Sequence, residues 1–137
     1  MRKVSVLIGI CMLVALALTL IAQQSAQDLP PIMKDVAATM PSLNMNIMNN
    51  AAAEVAKDAA KIQDNYTKAM GIFKALKAQD AVDMAKANVD AAAEIVKAAK
   101  ANNMEVAKAK AGEIQKSCKA CHSVHREQLP DKTYKFK

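Results

Sequence analysis

A short motif in the last part of the sequence, Cys118-Lys119-Ala120-Cys121-His122, restricts the fold more than any other segment. C-x-x-C-H is the attachment sequence of c-type haem, in which two thiols add to the porphyrin vinyl groups and the histidine coordinates the iron. Residues three apart share one face of a helix, so both sulfurs can reach one flat macrocycle while His122 points at its centre. The motif therefore predicts one covalently bound haem c, carried by a helix.

The motif also permits three alternatives to haem. A redox dithiol uses C-x-x-C as well, but that motif normally opens a helix in a βαβ setting, and no strand pattern precedes it here. Zinc could bind the cluster Cys118, Cys121, His122 and His125, although these residues lack the two separated pairs of a usual zinc site. The motif could also arise by chance. Haem is preferred because an export signal and a single pair of cysteines accompany the motif.

The beginning of the sequence resembles a secretory signal peptide. Residues 1–3 are positively charged and residues 4–22 carry no charge, which is the outline of such a signal. The uncharged run is also nearly long enough to cross a bilayer, so an uncleaved anchor is the alternative. We predict a signal peptide over residues 1–22 and a periplasmic protein, membrane-bound only if the segment is retained.

Cysteine usage agrees with export. Cys11 lies within the uncharged run and would leave with the signal, so that Cys118 and Cys121 alone remain. If these two cysteines bind a cofactor, no cysteine remains to form a structural disulfide. Because c-type haem is attached outside the cytoplasmic membrane, the motif and the signal support each other.

The charge balance is moderately basic. The formal net charge is +6, of which Arg2 and Lys3 contribute two, so the mature chain would carry +4. The lysines are spread along the chain rather than clustered, and an exported protein meets little DNA, so no nucleic-acid partner is expected. A solvated lysine-rich surface is the preferred interpretation. A weaker one is attraction to an acidic redox protein, which would accelerate encounter.

From Asp28 onward the pattern is helical, because alanine dominates and aromatic residues are few. Four segments each carry one apolar stripe with spacings of three and four residues, which predicts an all-α, antiparallel four-helix bundle over residues 28–129 with the haem on its last helix. The tail, residues 130–137, is expected to form a loose strap. The second and third stripes are Val55, Ala59, Ile62, Tyr66, Ala69, Phe73 and Leu76, and Val82, Ala85, Val89, Ala92, Val96 and Ala99.

Polar residues and proline predict the ends of these helices. Asp28 is the expected N-cap of the first helix, and Pro41 should kink or split that helix near residues 39–40. Asp80 is expected to cap the third helix, with Asp83 completing a capping box. Asn103 is the expected cap of the fourth helix, and Leu129-Pro130 should stop it.

A haem motif on the last helix, with every methionine upstream of it, resembles the cytochrome c prime superfamily. The resemblance covers residues 28–129, and its specific parts are residues 118–122 and the following Ser123-Val124-His125-Arg126. Arg126 looks like the basic residue that this family places four positions after the haem histidine. The resemblance implies a four-helix bundle with one haem, a protein that is not an enzyme, and often a homodimer formed through the first two helices.

The family has two branches that differ in the second axial position of the iron. Low-spin members place a methionine of the first helix there and carry electrons, whereas high-spin members leave the position open and bind gases such as NO or CO. The segment Ile32-Met33-Lys34-Asp35 is similar to the low-spin branch, which implies Met33 as sixth ligand. Met40 or no ligand are the alternatives.

The roles of the neighbouring basic residues are left open by the sequence. Arg126 could pair with a haem propionate, influence His122, or simply be exposed. His125 is expected to pack beside the haem rather than to bind iron. The preferred function is single-electron transfer between redox proteins, with gas binding as the alternative.

Overall fold

The computed structural model describes residues 26–137. The predicted signal peptide, and with it the choice between cleavage and anchor, lies outside the described residues. Four helices are followed by a small hairpin: α1 over residues 26–48, α2 Ala52–Ala75, α3 Gln79–Lys100, α4 Met104–His125, β1 Arg126–Gln128 and β2 Tyr134–Phe136. The predicted all-α four-helix bundle is confirmed. Within residues 26–137, none of the helices has the length and apolar character needed to cross a membrane.

The turns between helices share one hydrogen-bonding pattern. Asn50, Lys77 and Asn102 adopt left-handed backbone angles, with φ of 53°, 58° and 53°. In each case the next amide donates to a carbonyl five residues back, as from Asn103 to Ala98 at 2.8 Å. This Schellman geometry satisfies the last helical carbonyls and reverses the chain within a few residues. Two of the three turns have asparagine at the left-handed position, at Asn50 and Asn102.

The bundle has two different ends. At one end a solid aliphatic core is built from the second halves of α1 and α3 and the first halves of α2 and α4. Its largest fully buried side chains are Leu43, Val55, Ile62, Ile95 and Ile114. The other end, formed by the remaining halves, encloses a cavity. This aliphatic core packs the four helices together at the end opposite the cavity.

The predicted features of α1 need two corrections. Residues 26 and 27 are already helical, so Asp28 does not cap this helix, and the helix is not split at Pro41 but continues to residue 48. The kink at Pro41 stays a prediction. Proline removes a single amide donor from the helix, whereas Met40, Leu43 and Ile47 are buried on either side of Pro41. Packing of this continuous apolar stripe outweighs the lost hydrogen bond.

The predicted cap of α3 is also wrong. The helix begins at Gln79 after Ala78, whose side chain makes no capping hydrogen bond, and the Asp80 carboxylate contacts His125 instead. Asp83 accepts a hydrogen bond from Gln79 at 2.9 Å. By contrast, Asn103 caps α4 as predicted, accepting from the Val106 amide at 3.2 Å.

The tail is not a loose strap. Helix α4 ends at His125, before Leu129-Pro130, and β1 pairs antiparallel with β2 so that Arg126 lies opposite Phe136. The Phe136 ring stacks on the His125 ring, with their centroids 4.8 Å apart, and its centroid lies 5.3 Å from that of the Phe73 ring. These aromatic contacts fix the hairpin against the cavity end of the bundle.

Candidate functional site

A cavity of about 630 Å³ occupies the end of the bundle opposite the aliphatic core. All four helices and the hairpin contribute to its walls, which are mainly apolar. This volume is within the range of sites that hold cofactors and other small molecules. The cavity is therefore the natural place to look for the residues that the sequence singled out.

Cys118, Cys121 and His122 all line this one cavity. They lie in the last two turns of α4, and the two cysteines are not joined by a disulfide. Burial, and then the charges of Cys118 and Asp80, raise the pKa of the Cys121 thiol. Cys121 therefore remains protonated near neutral pH. The structure thus brings the three motif side chains to one apolar space.

His122 and Arg126 are direct neighbours. Nη1 of Arg126 lies 3.4 Å from Nδ1 of His122, and whether a hydrogen bond forms between them depends on the imidazole tautomer. Partial desolvation, and then the charge of Arg126, lower the pKa of His122. This shift favours the neutral imidazole, which is the form that binds a metal. Arg126 also stacks on Tyr134, with its guanidinium carbon 3.4 Å from the ring centroid.

Met33 is the predicted sixth ligand, and it lines the cavity from α1. Its side chain is half-buried and packs against the core. Met40 is buried with 8% exposure, and it does not line the cavity. The structure therefore places Met33, and not Met40, beside the motif residues.

Met84 of α3 also lines the cavity, and sequence reasoning missed it. It does not belong to the predicted stripe of this helix, whose buried face is wider than a single stripe and includes Ala81, Asn88 and Ile95. A wider apolar face was visible in the alanine-rich sequence, but nothing local distinguished Met84 from the other methionines.

Tyr66 has a polar role that sequence reasoning did not assign. Its hydroxyl oxygen lies 3.0 Å from Sγ of Cys118, and the residue is only 5% exposed. Burial, followed by the nearby charges of Cys118 and Cys121, raises the pKa of Tyr66. The phenol therefore keeps its proton. The prediction that Tyr66 belongs to the core is confirmed. Its contact with Cys118 could not be predicted, because the two residues are far apart in the sequence.

The ring nitrogens of His125 contact residues outside the motif. Nε2 lies 2.7 Å from the Asp80 carboxylate, and Nδ1 lies 3.3 Å from the backbone carbonyl oxygen of Lys137. Within residues 26–137, no three His, Cys, Asp or Glu side chains are grouped as a metal ion would require. The described part of the chain therefore gives no support to a zinc site that includes His125.

The His125–Asp80 contact predicts acid-sensitive stability. This hydrogen bond lowers the pKa of the Asp80 carboxyl below its ordinary value. The stability that the ionised Asp80 contributes is therefore present above the usual carboxyl range, and it is lost as the pH falls through the lowered pKa. Thermal midpoints between pH 7 and about pH 3 should fall more steeply for the wild type than for Asp80→Asn. Asp83→Asn, an exposed control in the same turn, should keep the wild-type slope. Equal slopes for all three proteins would contradict this role of Asp80.

The charged residues around the cavity have one sign. Lys34, Arg126 and Lys135 line it, and within the described residues no carboxylate does. Positive groups beside an apolar space suit a ligand with a flat apolar body and anionic substituents. Thiols can form thioether bonds, and imidazole nitrogen or methionine sulfur can coordinate iron.

Comparison of the chain with known protein families, with curated proteins and with solved structures found no significant match. Function is accordingly inferred from the motif residues and from the cavity that they share.

Proposed function

We propose that this chain is a mono-haem c-type cytochrome that carries single electrons between redox proteins of the periplasm. The observation that supports this most strongly is the position of Cys118, Cys121 and His122 in one apolar cavity with Met33. Two thiols, an imidazole and a thioether are the groups that attach a haem and coordinate its iron from two sides.

The residues present fit this group. Cys118 and Cys121 would hold it through thioether bonds, His122 would bind one side of the iron, and Met33 would bind the other. Lys34, Arg126 and Lys135 line the same cavity and would pair with its carboxylates. When bound, the haem supplies a one-electron couple between ferrous and ferric iron.

Met33 distinguishes an electron carrier from a gas-binding protein in this proposal. If His122 and Met33 both bound the iron, neither residue would have to bind or leave it when its charge changed. A thioether sulfur is a soft, neutral ligand that favours ferrous iron and raises the reduction potential. An open position would instead serve gas binding, which is the outcome expected if Met33 is not a ligand.

The proposed partners are redox proteins that carry acidic surfaces. Lys34, Arg126 and Lys135 line the cavity, and although Lys135 is paired with Glu127 at 3.2 Å, an electron donor or acceptor approaching the cavity would meet net positive charge from Lys34 and Arg126. Such charges raise association rates at low salt. Pairing of two copies through the first two helices stays a prediction.

The proposal predicts that the protein takes up and releases one electron reversibly, and that the rate of electron exchange depends on the charge of its reaction partner. The full chain, produced with a haem-attachment system, should titrate with the Nernst slope of one electron. At about 10 mM salt it should exchange electrons faster with an anionic than with a cationic mediator, and at about 0.5 M salt screening should remove most of this difference.

The matched control also replaces two lysines by glutamine, but at the end of the bundle away from the cavity. Lys34→Gln with Lys135→Gln should reduce the preference for the anionic mediator, whereas Lys57→Gln with Lys108→Gln should leave most of it. A chain without haem, or a ferrous protein that binds carbon monoxide within the mixing time, would contradict the proposed carrier.

A further inference from the structure

We propose that Tyr66 is a positioning residue for the haem: its hydroxyl donates a hydrogen bond to the Cys118 sulfur in the haem-bound protein and thereby raises the reduction potential. This inference rests on the proposed function. It goes beyond it by assigning a role to a side chain that neither belongs to the motif nor binds iron.

The contact is built into the packed interior. The hydroxyl oxygen lies 3.0 Å from Sγ, a short distance for a hydrogen bond to sulfur, and it joins α2 to α4. Tyr66 belongs to the buried stripe of α2 and is 5% exposed, so its ring has little freedom to turn away. Cys118 also packs against the hydrophobic core. Both partners are therefore held in place by packing rather than by a chance surface contact.

Attachment of the haem fixes the direction of this hydrogen bond. While Cys118 is a thiol, either atom could be the donor. In thioether formation Sγ bonds to one vinyl carbon and the thiol hydrogen is transferred to the other, with no net oxidation or reduction. The sulfur then has lone pairs but no hydrogen, so it can only accept, and Tyr66 must donate.

The phenol is able to fill this role at ordinary pH. Burial raises the pKa of Tyr66, so the O–H proton is retained. The positive end of the O–H bond then faces the sulfur that is joined to the macrocycle. Through the thioether, this dipole would favour the ferrous haem, which carries one more electron than the ferric form.

The test compares reduction potentials of the haem-bound full chain. Tyr66→Phe removes only the hydroxyl, and its potential should be lower than that of the wild type. Thr67→Val is the matched control, because it removes a hydroxyl that follows Tyr66 on α2 but is exposed, lies outside the cavity lining and donates to the Gln63 carbonyl. Its potential should stay close to the wild-type value.

A second replacement separates hydrogen bonding from simple packing. 3,5-Difluorotyrosine at position 66 keeps the ring and hydroxyl, but its more acidic hydroxyl donates more strongly. Its potential should shift upward, opposite to the shift of Tyr66→Phe, whereas a purely structural role predicts no such opposition.

The outcomes separate the two proposals. Haem staining of the denatured wild-type chain comes first, and absence of covalent haem would overturn both the proposed function and this inference. Covalent haem with opposite shifts for the two replacements supports the role of Tyr66. Covalent haem with unchanged potentials, or with shifts of the same sign, overturns the inference and leaves the proposed function standing.

Discussion

Replacing Cys118 and Cys121 together by serine is expected to leave the chain without covalently bound haem. Each thioether bond needs its own sulfur, and a serine oxygen does not replace it. The two thiols lie in the same cavity, and the remaining cysteine of the sequence, Cys11, lies in the predicted signal. Haem staining after denaturing electrophoresis and the mass of the denatured chain measure this loss directly.

Single replacements and a distant control sharpen this test. Cys118→Ser or Cys121→Ser should weaken attachment by removing one thioether bond, whereas Cys11→Ser should not affect it. If haem remains with the denatured double variant after extraction with acidified acetone, Cys118 and Cys121 are not the attachment residues.

Met33→Ala is expected to open one side of the iron. Loss of the sulfur should turn the ferric protein high-spin or admit water, and the ferrous protein should bind carbon monoxide readily. The reduction potential should fall because a soft ligand that favours ferrous iron is lost. Absorption spectra in both oxidation states, with and without carbon monoxide, measure all of these changes except the potential, which needs a titration.

Two other methionines provide matched controls for this variant. Met40→Ala should cost about 2–5 kcal/mol of unfolding free energy, because Met40 is buried in the core, with the spectrum unchanged. Met84→Ala alters the same cavity but should keep a low-spin spectrum. A high-spin Met84→Ala protein beside an unchanged Met33→Ala protein would show that the sixth ligand had been assigned to the wrong helix.

Much of the bundle was predictable because the necessary information is local. The stripe of α2 repeats every three or four residues, and its members Val55, Ala59 and Ile62 are fully buried as predicted. The asparagines at the turns could also be recognised locally, since asparagine tolerates the left-handed backbone that ends a helix. Lys77 adopts the same backbone without any such signal.

The features that were missed depend on residues distant in sequence. Asp80 looked like a helix cap because its neighbours suggest one, but its carboxylate is drawn to His125, which lies on another helix. The hairpin forms because Phe136 packs against the rings of Phe73 and His125, and its strands of three residues each are too short for a pattern of alternation to predict them. Local sequence contains neither contact.

The sequence predicted some residues of the candidate site but not others. Fixed spacing on one helix identified Cys118, Cys121 and His122 together. Which methionine faces them depends on how α1 and α3 pack around the cavity, and the packing admits Met33 and Met84 while excluding Met40. The hydroxyl of Tyr66 could not be assigned for the same reason.

The absorption spectrum of the purified wild-type chain tests the central proposal most directly. We expect a coloured protein with a low-spin ferric spectrum, and slow or no binding of carbon monoxide when reduced. A high-spin spectrum with rapid binding of carbon monoxide would contradict the closed, methionine-bound site, and a colourless protein would contradict haem altogether.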